Sequence, residues 1–262
     1  MKKIAKFFLG KKWGQSFFKA LFLLSIKGMN FGGGSTWSES GEEWVVKYFA
    51  KLAGNKEVIF FDVGANVGEY ALAVEGILKT YSKNFKILCF EPSKETFTQL
   101  KDKTQRHHQL QLFNIALGES AGKLPLYSTK AASGLTSLYN RQGVLGMEAS
   151  EDAEVETIDG FCKRENISEI DFLKLDVEGN EYKVLLGAKG LLKEKKIKFI
   201  QFEFGGTDID ARVYFRDFFN LLNPEYNLYR ILKNGLYQIP TYKETEEIFV
   251  TTNYLAVLKN YA

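Results

Sequence analysis

The sequence predicts an α/β fold in which a mostly parallel sheet carries helices on both faces. Three mainly apolar runs, at 58–61, 86–90 and 170–175, are rich in β-branched and aromatic residues, as buried strands are. Each run ends in a turn and is followed by a helical pattern. Alternating strands and helices are typical of parallel sheets, because a parallel strand pair needs a crossover connection.

The turn after the first strand has the sequence DVGANVG, at residues 62–68. Gly64 and Gly68 allow the backbone to approach a ligand closely, since neither carries a Cβ. The helix predicted to start near Glu69 would present unpaired amides, which favour a negatively charged ligand group. Glycines also occur wherever strands turn into helices, so this turn alone leaves a purely structural interpretation open.

The second strand ends in Glu91 and Pro92. An acid at the end of the second strand is where nucleotide-binding folds place the carboxylate that binds a ribose diol. A carboxylate suits this task because it accepts two charge-assisted hydrogen bonds at once. Together the first turn and Glu91 indicate a nucleoside-containing ligand.

The glycine spacing narrows the kind of nucleotide. The turn at 62–68 lacks the G-x-G-x-x-G pattern of dinucleotide sites, and no lysine follows Gly68 as a phosphate-binding P-loop requires. A nicotinamide oxidoreductase is therefore disfavoured. A ligand with an adenosine and an amino-acid tail fits better, and S-adenosylmethionine is such a ligand.

Several acids are expected at the same edge of the sheet. Asp176 and Glu178 follow the strand at 170–175 and lie two residues apart, so their side chains point the same way on extended backbone. Glu203 lies near the end of a further strand at 199–204. The alternative is that Asp176 or Asn180 caps the next helix. Capping accounts for one of these residues and leaves the others unexplained.

Five segments carry a resemblance to a known family: 61–68 (FDVGANVG), 90–92 (FEP), 114–118 (NIALG), 157–159 (TID) and 174–181 (KLDVEGNE). In this order the chain resembles the FkbM family of S-adenosylmethionine-dependent methyltransferases. The resemblance implies a Rossmann-like class I methyltransferase fold, with a mostly parallel seven-stranded sheet. It also implies a C-terminal antiparallel hairpin, which two late strands near 226–232 and 249–258 would form.

The same resemblance implies roles for individual residues. The implied cofactor-binding residues are Asp62, Gly64, Asn66 and Gly68 around the methionine portion, Glu91 on the ribose, and Asn114 and Ala116. Asp176 is implied to lie beside the methyl-transfer centre. The implied chemistry is O-methylation of a hydroxyl on a glycan or small metabolite.

Methyl transfer to a hydroxyl needs a proton acceptor, and clustered acids can raise one another's pKa to produce a usable base. Asp176 is the first candidate and Glu203 the second, with Glu178 beside them. Two alternatives stay open: the acids hold Mg²⁺, or the protein is a non-catalytic, cofactor-binding accessory of envelope-glycan assembly. Nucleic acid is not expected as a substrate, because the core is mildly acidic and its aromatic residues are not interleaved with a basic stripe.

Composition agrees with a single globular domain at 39–262. The two cysteines give no disulfide framework, which predicts a reducing, cytoplasmic location. A structural zinc site is not expected, since the only histidines are the adjacent His107 and His108. The regular alternation fails at about 118–155, where Pro125 predicts an edge strand. Because long irregular insertions are usually functional, this one is a candidate lid over the acceptor.

Residues 1–38 form a basic, aromatic N-terminal arm with seven lysines and no acid, whereas the rest of the chain is net acidic. The arm is too short and too charged to span a bilayer. Two interpretations stay open: a helix that packs its aromatic stripe on the domain, or an interfacial helix in peripheral contact with the cytoplasmic membrane. C-terminal to the arm, Ser40 and Glu43 predict a capping box for the next helix. Asp159 is expected to be the N-cap of the short helix that begins at 157–159.

Overall fold

The computed structural model describes residues 9–32, 37–81, 84–128, 136–138 and 148–261. Its α-helices are α1 (Gln15–Gly28), α2 (Trp37–Ser40), α3 (Glu42–Ala53), α4 (Glu69–Tyr81), α5 (Lys94–Thr104), α6 (Ile158–Arg164), α7 (Glu181–Leu186), α8 (Lys189–Lys193), α9 (Gly206–Ala211) and α10 (Phe215–Leu222). Its strands are β1 (Val58–Val63), β2 (Phe85–Phe90), β3 (Leu110–Phe113), β4 (Ala116–Leu117), β5 (Gly122–Ser128), β6 (Thr136–Ser137), β7 (Glu148–Glu156), β8 (Ile170–Leu175), β9 (Ile197–Phe204), β10 (Tyr226–Leu232), β11 (Gly235–Gln238) and β12 (Thr252–Leu258).

The main sheet has the strand order β11-β10-β12-β9-β8-β1-β2-β3. The five strands from β9 to β3 are parallel, and β12, β10 and β11 pair antiparallel at the other edge. The predicted Rossmann-like fold is therefore confirmed, including its C-terminal antiparallel hairpin. The described sheet has one strand more than the expected seven, because β11 folds back on β10 through a two-residue connection at 233–234.

Helices cover both faces of this sheet. On one face Phe49 of α3, Leu78 of α4 and Leu100 of α5 belong to a buried cluster. On the other face Phe161 of α6 and Phe218 of α10 belong to a second one. All six residues of β8 are buried, as expected for a parallel strand covered on both sides. The carboxyl ends of β1, β2 and β8 consequently open at one edge, where α/β sheets bind ligands.

The expected irregular insertion is largely a small second sheet with the order β4-β7-β5-β6. Here β5 pairs antiparallel with β7 along its length, and β6 joins β5 only at its last two residues. Pro125 lies in the part of β5 that has a single described neighbour, which suits a residue without an N–H. Most of the segment between β5 and β7 lies outside the described residues.

Asp159 caps a different helix from the one expected. Thr157 is the N-cap of α6, where its hydroxyl accepts the N–H of Gly160. Asp159 instead accepts the N–H groups of Gly190 and Leu191, at 2.7 and 3.0 Å. The prediction is wrong because the carboxylate satisfies the open amides of α8, which packs beside α6.

The predicted capping box of Ser40 and Glu43 is also wrong. Gly41 occupies the N-cap position of α3, with a φ of 90°. The Ser40 hydroxyl contacts both the N–H and the carboxylate of Glu42, and Glu43 pairs with the exposed Lys47. This arrangement directs the side chain of Glu42 toward the sheet.

Helix α1 is joined to the body of the protein at its C-terminal end. Ile26 is buried, Phe31 is 1% exposed, and the side chain of Asn30 donates to the carbonyl groups of Ser40 and Ile231. The remainder of the helix is mostly exposed, so, of the two interpretations, packing of the aromatic stripe on the domain does not hold for residues 15–25. Within the described ranges, no helix is both long enough and apolar enough to cross a bilayer.

Candidate functional site

The turns after β1 and β8 are in direct contact. The amide of Asp176 donates to the carbonyl of Val63 at 3.0 Å. Gly64 has a φ of 85°, and a Cβ at this position would overlap the carbonyl oxygen of Asp176. The 62–68 turn can therefore lie this close to β8 only because residue 64 is glycine.

Glu91 is the best-defined polar group of the site. Its two carboxylate oxygens accept the amides of Asn66 and Ser93, each at 3.0 Å. The carboxylate is 3% exposed, and burial raises its pKa to about 7 although these two hydrogen bonds act in the opposite direction. Each oxygen keeps a lone pair, so the carboxylate can still accept hydrogen bonds from a diol.

Two other predicted residues, Asn114 and Gly68, stabilise the backbone around the site. The side-chain amide of Asn114 donates to the carbonyl groups of Glu91 and Pro92, at 2.8 and 3.0 Å. Asn114 thus fixes the backbone that follows β2. Gly68 faces α5, where a Cβ would lie 2.6 Å from Leu100, so its role in the structure is helix packing.

A first cavity of about 140 Å³ lies between these turns and the second sheet. Its lining residues are Val63, Gly64, Asn66, Phe90, Glu91, Pro92, Ile115, Ala116, Leu117, Leu126, Leu138, Asp176, Val177, Glu178 and Asn180. The lining combines apolar side chains from 115–117 with the carboxylates of Glu91, Asp176 and Glu178. Leu126 and Leu138 bring the insertion to the cavity wall.

The donor set of this cavity fits S-adenosylmethionine. The aliphatic side chains at 115–117 provide an apolar surface that suits an adenine ring, and the Glu91 carboxylate suits a ribose diol. Gly64 adds backbone without a side chain to the cavity wall. Gly64, Asn66, Glu91 and Ala116 line the cavity, as a role in cofactor binding requires.

Asp62 lies beneath the site and does not line the cavity. Its side chain is fully buried, and neither carboxylate oxygen has a hydrogen-bond partner among the described residues. Burial raises the pKa of this carboxyl, and the Lys174 ammonium 3.6 Å away counteracts part of that rise. Balancing the charge of Lys174 is the role that its position supports.

Lys174 is a functional residue that the sequence reasoning missed. It is 3% exposed, and its ammonium also pairs with Asp176 at 3.0 Å. Burial lowers the pKa of this amine, but the charges of Asp176, Asp62 and Glu42 outweigh it and raise the pKa above its ordinary value. Its place in an otherwise buried strand was the available signal, because a buried charge requires partners.

Glu42, Tyr70 and Gln201 complete the surroundings of this lysine. The Gln201 amide donates to Glu42 at 2.7 Å, and the Tyr70 hydroxyl donates to the Gln201 carbonyl at 3.3 Å. The Lys174 ammonium lies 4.4 Å from the centre of the Tyr70 ring. Burial raises the pKa of Glu42.

A second cavity opens on this side of Lys174. It is lined by Trp37, Glu42, Glu69, Tyr70, Ala73, Lys174 and Asp176. Among the residues that the structure describes, Asp176 alone lines both cavities, and 40% of its side chain is exposed. A group held in the first cavity and a group held in the second would approach each other at this carboxylate.

The other acids of the sheet edge have separate positions. Glu178 lines the first cavity with a φ of 54°, whereas Glu203 lines neither cavity. Burial and the charges of Asp176 and Glu181 raise the pKa of Glu203 well above its ordinary value. Within the described segments, no three His, Cys, Asp or Glu side chains are placed to hold a metal ion, so the magnesium alternative lacks a ligand set there.

Glu181, and not Asn180, organises the turn after β8. Its carboxylate accepts the amides of Val177 and Gly179, at 2.7 and 2.9 Å. Asn180 occupies the N-cap position of α7 without a capping hydrogen bond and donates instead to the carbonyl of Leu117 at 3.1 Å. The capping alternative for Asn180 is wrong, because its side chain joins β4 to this turn.

Comparison with known proteins agrees with this geometry. The sequence profile of the Methyltransferase FkbM domain matches residues 62–231. The hexuronic acid methyltransferase AglP of Haloferax volcanii is 25% identical over 167 residues, which cover 63% of this chain and 64% of that protein. The chain thus spans less than two thirds of that relative.

Two further proteins are similar over larger or comparable parts of the chain. The 2-O-methyltransferase NoeI of Sinorhizobium fredii is 22% identical over 206 residues, which cover 73% of this chain and 82% of that protein. The crystal structure of Methyltransferase FkbM from Methylobacillus flagellatus superimposes with a TM-score of 0.47 at 17% identity, covering 78% of this chain and 43% of that one.

Proposed function

Because the chain belongs to the FkbM methyltransferase family, we propose that it is an O-methyltransferase that modifies a hydroxyl group of a glycan or small metabolite. S-adenosylmethionine is the cofactor of this reaction. Two relatives, a hexuronic acid methyltransferase and a 2-O-methyltransferase, support a glycan as the acceptor class.

The meeting of two cavities at Asp176 is the observation that carries this proposal. In the proposed complex, the cofactor lies in the first cavity and is held by Gly64, Asn66, Glu91 and Ala116. The acceptor occupies the second cavity. A transferred group has to pass between two bound molecules, and Asp176 is where the two linings join.

The second cavity has the chemistry that a sugar requires. The rings of Trp37 and Tyr70 pack edge to face with centroids 4.7 Å apart, which provides an apolar surface for the C–H groups of a sugar ring. Glu42 and Asp176 supply carboxylate oxygens that can accept hydrogen bonds from hydroxyl groups.

The bound cofactor supplies an electrophilic methyl group, so the protein does not have to form a covalent intermediate. The protein contributes alignment of the acceptor oxygen, worth up to roughly 7–11 kcal/mol when reactants are well oriented. It also contributes a proton acceptor, for a typical gain of roughly 10²–10⁴-fold.

Asp176 is the proposed proton acceptor, and its pairing with Lys174 supports this choice. The ammonium at 3.0 Å holds the carboxylate in place by a charge-assisted hydrogen bond. Glu203 holds its proton more tightly, since burial raises its pKa. Glu203, which lines neither cavity, and Glu178, which lines the first, are therefore proposed to act on the site indirectly, through their charge interactions near Asp176.

The experiment is transfer of a labelled methyl group from S-adenosylmethionine to a panel of hexuronate oligosaccharides, amino-sugar oligosaccharides and envelope-glycan extract. Asp176→Asn nearly preserves shape and should lower turnover on the order of 10²-fold or more, with little change in S-adenosylhomocysteine affinity. Glu178→Gln and Glu203→Gln are the matched acid controls and should cost less. Normal turnover of Asp176→Asn would show that this carboxylate is not the base.

The non-catalytic accessory alternative makes a different prediction in the same assay. Calorimetry would then detect S-adenosylhomocysteine binding, while no acceptor of the panel would gain label. Label on a protein-treated glycan that disappears after O-demethylation would exclude it.

A cytoplasmic location is part of the proposal. Cys89 and Cys162 are both unpaired and buried, which suits a reducing compartment. Recovery of the native protein from an oxidising compartment would contradict this location.

A further inference from the structure

We propose that helix α1 and the lysines around it bind the surface of an anionic lipid bilayer. This proposal concerns residues 9–29 and is independent of the methyltransferase site. It rests on the exposed apolar face of the helix, on its charge and on the way it is attached to the domain.

The apolar face of α1 is uncovered. Phe17, Leu21 and Leu24 follow one another at spacings of four and three residues, and they are 63%, 42% and 67% exposed. Side chains at these spacings share one side of a helix, so together they form a continuous apolar strip. Phe22 and Leu23, which are 59% and 50% exposed, lie outside this row and widen the apolar surface of the helix.

The charge of this segment has one sign. Lys11, Lys12, Lys19 and Lys27 are exposed, and the chain has no acid before Glu39. On a helical projection Lys19 lies on the side opposite Phe17 and Leu21, and Lys27 lies roughly a quarter turn to one side of Phe17. An apolar strip with lysines on the remaining surface is typical of helices that lie in a membrane interface.

The C-terminal end of α1 holds the helix in a fixed direction relative to the domain. Arg230 donates from Nε to the carbonyl of Met29 at 3.1 Å, and its guanidinium lies 4.6 Å from the centre of the Phe31 ring. The hydroxyl of Thr252 donates to the carbonyl of Asn30 at 3.1 Å. These contacts attach the C-terminal end of the helix to the domain, so the apolar strip has a fixed orientation.

Charge favours lipid over a second copy of the chain. Two copies that met through α1 would bring lysines against lysines without any acid in the segment, and like charges at an interface oppose association. Lipid phosphates instead supply negative charge at the depth of the lysine ammonium groups. Trp13, which is 64% exposed just before the helix, adds a ring of the kind that prefers the membrane–water interface.

The first test is co-sedimentation of the full chain with vesicles of phosphatidylglycerol and phosphatidylcholine, compared with vesicles of phosphatidylcholine alone. The full chain should bind the anionic vesicles and be released by salt. Phe17→Ser/Leu24→Ser should lower the partition coefficient on the order of tenfold or more. The matched control, Leu52→Ser/Ile209→Ser, changes two apolar residues that are 42% and 58% exposed elsewhere and should bind normally.

The second test uses Trp13 as a probe. Its fluorescence should shift to shorter wavelength with anionic vesicles and be quenched by lipids that carry a bromine on the acyl chain. Trp13→Phe should abolish that shift, although Trp37 and Trp44 remain. If the double serine variant fails to fold, Lys19→Ser/Lys27→Ser replaces it, and binding should then fall several-fold with a weaker response to salt.

Three results would overturn the proposal. In the first, the full chain stays in the supernatant when the anionic vesicles sediment. In the second, the Phe17→Ser/Leu24→Ser variant binds these vesicles as well as the parent does. In the third, no vesicle binding occurs and sedimentation velocity shows a dimer that the double variant abolishes. That result would identify a second copy of the chain as the partner of α1.

Discussion

The turn after β1 and the turn after β8 lie side by side at one edge of the sheet, yet different interactions hold them. The first turn is fixed mainly by backbone contacts and by the absence of a side chain at Gly64, with one carboxylate, Glu91, accepting the amide of Asn66. The second is fixed by charged side chains: Lys174 holds Asp176, and Glu181 accepts the amides of Val177 and Gly179.

This difference separates two tasks. A backbone turn without side chains can follow the outline of a ligand but cannot move a proton. A turn of buried charges can hold and move protons, and it depends on every partner being present. The first turn is thus suited to binding the cofactor and the second to the chemistry at its end.

Removing the central charge of the second turn should have the largest effect. Lys174→Met would leave Asp62 buried without its counter-ion and should lower the free energy of unfolding by about 3–5 kcal/mol. Urea denaturation measures this change. The loss should shrink at acidic pH, because burial raises the pKa of Asp62 and the carboxyl can neutralise itself.

Lys86→Met is the matched control for this prediction. Lys86 is half exposed and its ammonium lies 3.9 Å from Glu57, so its loss should cost about 0–1 kcal/mol. Equal effects of the two substitutions would mean that the buried charge cluster does not hold the second turn.

A methyl group at Gly64 tests the first turn. Gly64→Ala would combine a left-handed backbone with an overlap against Asp176 and should lower the free energy of unfolding by about 2–4 kcal/mol. Cofactor affinity should fall with it, since the turn must move away from β8. Thermal unfolding and calorimetry with S-adenosylhomocysteine measure the two effects.

Gly76→Ala provides the comparison in the neighbouring helix. Gly76 lies inside α4 with no atom close to an added Cβ, so alanine should stabilise the protein by about 0.5–1 kcal/mol. A Gly64→Ala variant that is as stable as the parent would refute the close approach of the two turns.

Glu91 gives a smaller, pH-dependent effect. Ribose hydroxyls donate to the ionised carboxylate, so affinity for S-adenosylhomocysteine should be constant above pH 7 and fall as the pH decreases through the Glu91 pKa of about 7. Glu91→Gln should weaken binding at pH 8 by about 1.5–3 kcal/mol and remove this pH dependence. Calorimetry across the pH range decides it, and a Glu91→Gln variant with unchanged affinity would contradict the ribose assignment.

The ligand-free protein should show the opposite trend in stability. Glu91 has a folded pKa of about 7 against an ordinary value of 4.5, so between these values the folded state binds a proton that the unfolded state lacks. Stability should therefore decrease as the pH rises from about 4.5 to about 7 and then level off. Glu91→Gln should flatten this slope in part, because Asp208 also has its pKa raised to about 7 by burial.

The parts of the site that depend on local sequence could be predicted. Gly64 and Glu91 lie at strand ends whose apolar runs define them, and both line the first cavity. Lys174 was missed because two of the charges that surround it, those of Asp62 in β1 and Glu42 in α3, lie far from it in the sequence. Periodicity cannot report such a cluster.

Side-chain roles were harder to predict than elements. Asp159 and Asn180 each have a residue type that caps helices, but each makes its hydrogen bonds to a neighbouring element that the local pattern does not specify. The apolar strip of α1 is a similar case. The pattern predicts a helix with an apolar face, and only the tertiary structure shows that the domain leaves the face uncovered.

The most direct test of the two-turn account is a crystal structure of the protein with S-adenosylhomocysteine. The account predicts adenosine in the first cavity with its ribose hydroxyls on Glu91, the backbone of Gly64 along the aliphatic chain, and the sulfur facing Asp176. A cofactor bound with its ribose away from Glu91, or with its sulfur pointing away from Asp176 and the second cavity, would contradict it.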